Sequence, residues 1–151
     1  MVVQMGFVFR LQSVLNIKKQ IEDGLKNDLG KAIIEYENQK EIYNKIEEEK
    51  KNYVDSVKTK SQEGISVGDL QKYGNYIGFL NNKAKEQMVN VKNAQDNVDR
   101  YREKLIKASQ ERKIMDKLRE KKYTEYIKGQ FKKEQQISEE ISNYKYVENL
   151  G

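Results

Sequence analysis

Apolar residues recur along the chain at alternating intervals of three and four positions, which is the spacing of a coiled coil. The pattern occurs in two long stretches and therefore predicts two long helices. In the first stretch its positions are Leu25, Leu29, Ala32, Tyr36, Gln39, Tyr43, Ile46, Lys50, Tyr53 and Val57. In the second stretch they are Leu70, Tyr73, Ile77, Leu80, Ala84, Gln87, Val91, Ala94, Val98, Tyr101, Leu105, Ala108, Arg112 and Met115.

The beginning of the first helix departs once from this regular spacing. Two consecutive intervals of four residues join the upstream positions to Leu29, which predicts a stutter in the coiled coil. Gly24 and Gly30 flank the join, and each weakens an exposed helix by about 1 kcal/mol relative to Ala. We therefore expect local unwinding or a bend there. The core positions expected upstream of Leu29 are Leu11, Val14, Lys18, Ile21 and Leu25.

Turn-forming residues lie between the two stretches, in the segment from Glu63 to Asp69. Gly64 suits the position just after a helix, and Ser66 with Asp69 resembles a capping box at the start of the next one. Two helices joined by so short a turn must lie antiparallel. We therefore predict an all-α fold, a long antiparallel two-helix coiled-coil hairpin whose second helix is longer than the first.

The predicted hairpin is a single domain over residues 1–151, with a first arm at about 8–63, a tip at about 64–68 and a second arm at about 69–143. Counting equal distances from the tip leaves the second arm without a partner after about residue 124. Arms exchanged between two chains would share this heptad pattern, so the sequence leaves a monomer and a swapped dimer open. The overhang still carries the apolar residues Tyr126, Ile127, Phe131, Ile137 and Ile141.

Composition favours a narrow structure over an ordinary globular core. Hydrophobic residues make up 36% of the chain and charged residues 35%, which leaves too few apolar side chains for a wide interior. The chain has no Cys and no His, so it lacks thiolates, imidazole bases and the usual zinc ligands. We therefore expect no enzyme activity, no metal and no cofactor. No apolar run is long enough for a transmembrane helix, and we expect a cytoplasmic protein.

Positive charge is concentrated in residues 100–133, which contain thirteen Lys or Arg and five acidic residues. A solvated helix face would show this excess, and so would a surface that docks into an acidic protein channel. A nucleic-acid-binding surface is the third possibility. No DNA- or RNA-binding motif accompanies the charge, so we expect no nucleic-acid partner.

A second group of residues stands out close to the predicted tip. Phe79 falls on the outward face of the second helix, where packing between the arms does not account for it. Tyr76 lies on the shoulder of that helix and Leu80 in its apolar seam. Single exposed apolar residues are common on protein surfaces. The alternative is a partner-binding site formed by Tyr76, Phe79 and Leu80.

Three segments of the sequence resemble FliJ, a family of flagellar export proteins. They are residues 7–15 (Phe-Val-Phe-Arg-Leu-Gln-Ser-Val-Leu), 73–80 (Tyr-Gly-Asn-Tyr-Ile-Gly-Phe-Leu) and 112–121 (Arg-Lys-Ile-Met-Asp-Lys-Leu-Arg-Glu-Lys). The acidic segment 134–140 also fits the end of that pattern. Length and two-arm organisation are similar to the family across essentially the whole chain.

The resemblance implies a component of the flagellar type III protein export apparatus, a coiled-coil stalk or adaptor. Its implied partners are the hexameric flagellar export ATPase, the cytoplasmic domain of the membrane export gate protein, and export chaperones. Through these partners the protein would be peripheral at the inner face of the cell membrane. The residues implied for ATPase binding are Phe7, Arg10, Leu11, Val14, Leu15, Arg112, Lys113, Lys117, Arg119 and Lys122. Those implied for export-gate binding are Ile46, Tyr53, Tyr76 and Leu80, to which we add the outward Phe79.

One position departs from the family pattern, and two other functions stay open. Four residues before Tyr53 the pattern leads us to expect an aromatic side chain, where this chain has Glu49. The first alternative function is a general coiled-coil chaperone or tether for exported polypeptides, to which the ATPase would be indifferent. The second is a basic rod that binds nucleic acid, for which duplex binding would depend steeply on salt.

Overall fold

The computed structural model describes residues 6–150 and contains two helices, α1 (Gln12–Glu63) and α2 (Val67–Leu150). No strand occurs in that part of the chain. The absence of proline from the sequence leaves both helices uninterrupted over 52 and 84 residues. The prediction of an all-α hairpin with a longer second helix is confirmed. Residues 1–5 and Gly151, which the predicted single domain includes, lie outside the described residues, and the single domain itself stays a prediction.

The turn between the helices follows the chemistry that its sequence predicts. Gly64 has a φ of +97°, a left-handed conformation that glycine adopts without steric cost. The Ser66 hydroxyl accepts a hydrogen bond from the backbone N–H of Asp69 at 3.1 Å, which is half of a capping box. Glycine ends α1 and serine starts α2, so the chain reverses within three residues.

The residues separate into two compact units. Unit 1 contains, within the described residues, 6–22 and 107–150, and unit 2 contains 23–106. In unit 2, Tyr53 contacts Tyr73, and Gln39 contacts Gln87, so α1 and α2 run antiparallel there. In unit 1, Gln12 bonds to Arg119 and Lys18 to Glu111, which gives the same antiparallel pairing.

The predicted heptad positions form the core. Every position predicted from Leu25 to Val57 and from Tyr73 to Met115 is buried or half-buried, whereas Leu70 is exposed beside the turn. In unit 2 the core also contains a polar layer. The buried Gln87 side-chain amide donates to the Gln39 backbone oxygen at 2.9 Å and to its side-chain oxygen at 2.7 Å. A buried polar pair of this kind fixes the register of two helices.

The prediction for the start of α1 was wrong in one respect. Leu11, Val14 and Ile21, expected in the core, are exposed, whereas Leu15 and Glu22 are buried with 1% and 5% of their surface accessible. From Leu15 to Leu29, the buried and half-buried positions are Leu15, Lys18, Glu22, Leu25 and Leu29. These positions alternate intervals of three and four without interruption, so the predicted stutter at Leu29 is absent.

A buried ion pair explains this difference. Arg112, on α2, donates from Nε to the Glu22 carboxylate at 2.7 Å and from Nη2 at 3.4 Å. With such a partner, Glu22 can be buried in the core. The apolar pattern had instead placed the neighbouring Ile21 there. The register therefore follows the ion pair, and Ile21 turns outward.

No helix in the described part of the chain combines the length and the apolar character that crossing a membrane requires.

Candidate partner-binding surfaces

In unit 1, residues that precede α1 pack on the second helix. The Phe7 ring contacts Tyr123 edge-on, with 5.2 Å between ring centroids, and lies 5.7 Å from the Tyr126 ring. The Arg119 guanidinium lies 5.6 Å from the Phe7 ring, a cation–π distance. Gly6 has a φ of +85°, and a Cβ there would run into the Tyr126 hydroxyl. This close approach requires glycine.

The packed segment leaves an open groove of about 780 Å³ in unit 1. Most of its lining side chains are apolar. Arg10 adds positive charge, and Lys122 forms an ion pair with Glu125 at 3.7 Å. An open apolar groove with charged edges is suited to bind a protein segment. The lining residues are Gly6, Phe7, Val8, Phe9, Arg10, Leu11, Leu118, Lys122, Glu125 and Tyr126.

Exposed apolar side chains continue from this groove along α1. Leu11, Val14, Ile17 and Ile21 follow one another at intervals of three or four residues, so each lies beside the next on the helix surface. Each of these four residues has between 38% and 54% of its surface accessible to solvent. We call these four residues the apolar stripe. Within the described residues, packing between the helices does not account for the apolar stripe. It does account for the buried core positions beside the stripe.

Polar contacts hold several of the implied ATPase-binding residues within unit 1. Arg112 donates to Asp116 at 2.7 Å as well as to Glu22, and these hydrogen bonds raise the pKa of Arg112. Arg119 donates from Nε to the Gln12 side-chain oxygen at 2.9 Å. These two arginines therefore stabilise the paired helices.

A further ion pair links the two helices of unit 1. The Lys18 ammonium donates to the Glu111 carboxylate at 2.9 Å, and this hydrogen bond lowers the pKa of Glu111 below its ordinary value. Both side chains are partly exposed, so the pair adds little stability. Its effect is to reinforce the antiparallel register.

The structure places the ten implied ATPase-binding residues in four settings. Phe7, Arg10, Leu11 and Lys122 line the groove, and Val14, Lys113 and Lys117 are exposed. Leu15 is buried beneath them, and Arg112 and Arg119 are engaged in hydrogen bonds within the unit.

In unit 2, four aromatic rings from both helices form a cluster. Tyr53 of α1 lies between Tyr73 and Tyr76 of α2, with centroid distances of 5.7 Å and 4.4 Å. Phe79 extends the cluster, 6.0 Å from Tyr76, and 56% of its surface is accessible. The tilted, closely packed rings therefore support one exposed aromatic side chain.

Charged residues complete this aromatic cluster. The Tyr76 hydroxyl donates to the Glu49 carboxylate at 2.5 Å, and this hydrogen bond raises the pKa of Tyr76. Lys60 donates to the Tyr73 hydroxyl, which raises the pKa of Lys60, and its ammonium lies 5.0 Å from the Tyr73 ring centroid. Glu49, at the position where an aromatic was expected, thus orients an aromatic residue of the other helix.

The five implied gate-binding residues divide between this cluster and the core. Tyr53, Tyr76 and Phe79 belong to the cluster, whereas Ile46 and Leu80 are buried with 5% and 1% of their surface accessible.

Sequence reasoning missed several residues of these surfaces. Ile17 was overlooked because it lies outside the expected heptad positions, although it is three residues from Val14. The contact of Tyr126 with Phe7 was not expected, because it follows from tertiary packing alone. Gly6 carried no signal beyond being a glycine next to an aromatic residue. Within the described residues, no acidic cluster is arranged to hold a metal ion.

A comparison with protein families matches residues 7–151 to FliJ, described as flagellar FliJ protein. The chain belongs to the FliJ family. The resemblance of the three sequence segments is thereby confirmed, and as a FliJ protein the chain is a component of the flagellar export apparatus that interacts within that apparatus. No curated protein and no solved structure matches it.

Apart from Gly6, both surfaces lie inside the FliJ match. The groove and apolar stripe come from its first residues and from the middle of α2, and the aromatic cluster comes from the two helices beside the turn. A FliJ protein of this structure therefore offers two chemically different surfaces, one apolar and basic, the other aromatic.

Proposed function

We propose that this FliJ protein is a coiled-coil stalk or adaptor that couples the hexameric export ATPase to the membrane export gate. Unit 1 binds the ATPase, and the aromatic cluster of unit 2 binds the cytoplasmic domain of the gate protein. The protein acts without catalysis of its own and is peripheral at the inner face of the cell membrane through these partners. Family membership further supports a role in handling export chaperones.

The observation that carries the proposal is the apolar stripe beside the groove in unit 1. Burying four half-exposed aliphatic side chains against a partner removes apolar surface from water, which supplies affinity. Lys113, Lys117 and Lys122 are exposed in the same unit and add positive charge. Such charge accelerates association with an acidic partner surface. An ATPase ring whose inner surface combines apolar and acidic residues would meet both requirements.

The aromatic cluster supports a second, different partner. Exposed aromatic side chains held by packed neighbours are frequent centres of binding energy in protein interfaces. Phe79 meets this description because its ring packs against Tyr76, which in turn packs against Tyr53. Ile46 and Leu80 are buried, and their role is to stabilise the helices that carry these rings.

The ATPase assignment is tested with a charged variant of the stripe. The double substitution Val14→Glu/Ile17→Glu places two carboxylates on the stripe, and we expect it to weaken binding to the export ATPase by about tenfold or more. Binding is measured with purified proteins, and ATP hydrolysis by the ATPase is measured with and without each variant. Helicity by circular dichroism verifies that the variant folds.

The matched control is Asn16→Glu/Gln20→Glu, which adds the same charge to exposed positions on another face of α1. It should bind the ATPase as the wild type does. Equal losses in both variants, or none in either, would remove the stripe from the ATPase site. Wild-type protein that leaves ATP hydrolysis unchanged would instead favour a chaperone or tether without ATPase coupling.

A further inference from the structure

The last part of α2 has an apolar face that the paired helices do not use. Every residue from 131 to 150 is exposed. A regular alternation of four- and three-residue intervals nevertheless continues through this segment. Its positions are Tyr123, Ile127, Gln130, Glu134, Ile137, Ile141 and Tyr144, which we call the tail seam. Such spacing on one continuous helix is the pattern of a coiled-coil interface.

Charge along this segment is divided into two opposite halves. Residues 121–133 contain five basic residues and one acidic residue, whereas residues 134–148 contain four acidic residues and one basic residue. A parallel pair of these helices would place like charges side by side. An antiparallel pair places the basic half of one helix against the acidic half of the other, which is favourable.

We infer that the tail seam binds a second copy of this chain in an antiparallel helix pair. The six seam positions from Tyr123 to Ile141 are self-complementary about a centre at Lys132. In this register Ile127 faces Ile137 of the second copy, and Gln130 faces Glu134 of the second copy. The two Ile layers exclude water, and the Gln130 amide can donate a hydrogen bond to the Glu134 carboxylate of the second copy.

The next layers extend the same register in both directions. Tyr123, whose ring already contacts Phe7, faces Ile141 of the second copy. Phe131 lies beside the centre of the pair, where it meets the Phe131 ring of the second copy. The pairing covers the apolar residues that the hairpin leaves in water. It does not depend on the ATPase or gate assignments.

The full-length chain tests the pairing by its mass in solution. We expect sedimentation equilibrium to give a mass that rises with concentration from one chain to two. Ile137→Glu/Ile141→Glu should remain a single chain, whereas Gln136→Glu/Asn143→Glu, which adds the same charge away from the seam, should associate as the wild type does. Circular dichroism should show equal helicity for both variants, because no described residue packs on this segment.

The orientation is tested with cysteines, since the chain has none of its own. Oxidation of a mixture of Ile127→Cys and Ile137→Cys chains should give mostly the mixed disulfide, with little of either homodimer. A predominant Ile137→Cys homodimer would show parallel pairing and overturn the proposal. So would wild-type protein that stays a monomer at about 1 mM, where even weak association is measurable. A dimer that survives in Ile137→Glu/Ile141→Glu would show pairing elsewhere, such as exchanged arms.

Discussion

Glu22 lies in the core of unit 1 although glutamate is among the residues least often buried. Its carboxylate accepts two hydrogen bonds from Arg112, so its negative charge is compensated where it is removed from water. Pairs of this kind contribute little net stability compared with apolar residues of similar size, but losing one partner is costly. The pair therefore sets the register of α1 against α2 more than it adds to stability.

We expect Glu22→Ala to destabilise the protein clearly, because Arg112 then loses one of its two carboxylate partners and a cavity replaces the glutamate. The double variant Glu22→Leu/Arg112→Leu should recover much of the loss, since apolar residues restore a continuous core. Urea unfolding midpoints measure both effects. Glu37→Ala, at an exposed position of α1, is the control and should change little. A midpoint for Glu22→Ala equal to that of the control would contradict the register role.

Tyr76 provides a second prediction at the scale of one side chain. Its hydrogen bond to Glu49 favours the protonated phenol and raises the pKa above the ordinary value of 10.0. The contribution to stability is therefore present below pH 10 and is lost as pH rises through the higher folded pKa. Glu49→Gln removes the carboxylate, and we expect the pKa of Tyr76 to fall toward its ordinary value.

The Tyr76 pKa is measured by NMR titration of labelled tyrosine in the folded protein. Glu48→Gln, a neighbouring exposed position, serves as the control and should leave the titration unchanged. If Glu49→Gln leaves the pKa of Tyr76 as it is in the wild type, then Glu49 does not orient this ring in solution.

At the scale of the helices, the start of α2 depends on one serine. The Ser66 hydroxyl accepts the backbone N–H of Asp69, and Ser66→Ala should reduce the free energy of unfolding by about 1 kcal/mol. Chemical denaturation measures the change. Ser61→Ala, in the last part of α1, should slightly stabilise the protein because alanine favours the helix. A loss of the same size in both variants would mean that the hydroxyl of Ser66 does not cap α2.

Most of the helical architecture could be predicted from the sequence because local rules decide it. Heptad spacing identified the core from Leu25 onward, and Gly64 with Ser66 identified the turn. The register before Leu25 could not be found in this way. Its buried glutamate depends on Arg112, 90 residues later, and a pattern of apolar residues contains no signal for such a pair.

The candidate surfaces were less predictable than the helices. Phe79 was found because its position leaves it outside the core, a property that heptad spacing gives directly. The groove was not found, since it forms only when Phe7 packs on Tyr123 and Tyr126. Leu15 and Leu80 were expected to contact partners, but both are buried. A family resemblance does not separate residues that touch a partner from residues that support the fold.

At the scale of the whole molecule, one chain carries two surfaces that belong to different units. The apolar stripe and groove lie in unit 1, and the aromatic cluster lies in unit 2. Their chemistries differ, so a partner suited to one is not suited to the other. An adaptor that couples two partners needs this separation, because each partner must be able to bind while the other is bound.

Separate surfaces predict separate losses. We expect Val14→Glu/Ile17→Glu to weaken ATPase binding and leave affinity for the gate's cytoplasmic domain unchanged. Tyr76→Ala/Phe79→Ala should do the reverse, because it removes the exposed ring and the ring that packs against it. Val89→Ala, which removes another exposed apolar side chain of unit 2, is the control and should affect neither. Binding of each purified partner to each variant measures the effects.

Combining the two double variants tests whether the surfaces act independently. If they do, each partner loses as much binding free energy in the combined variant as in the corresponding double variant alone, since sites that share no interaction have additive effects. If Val14→Glu/Ile17→Glu weakens the binding of both partners while its helicity is unchanged, the ATPase and the gate share one surface. The coupling would then require exchange of partners on that surface, because both could not be held at once.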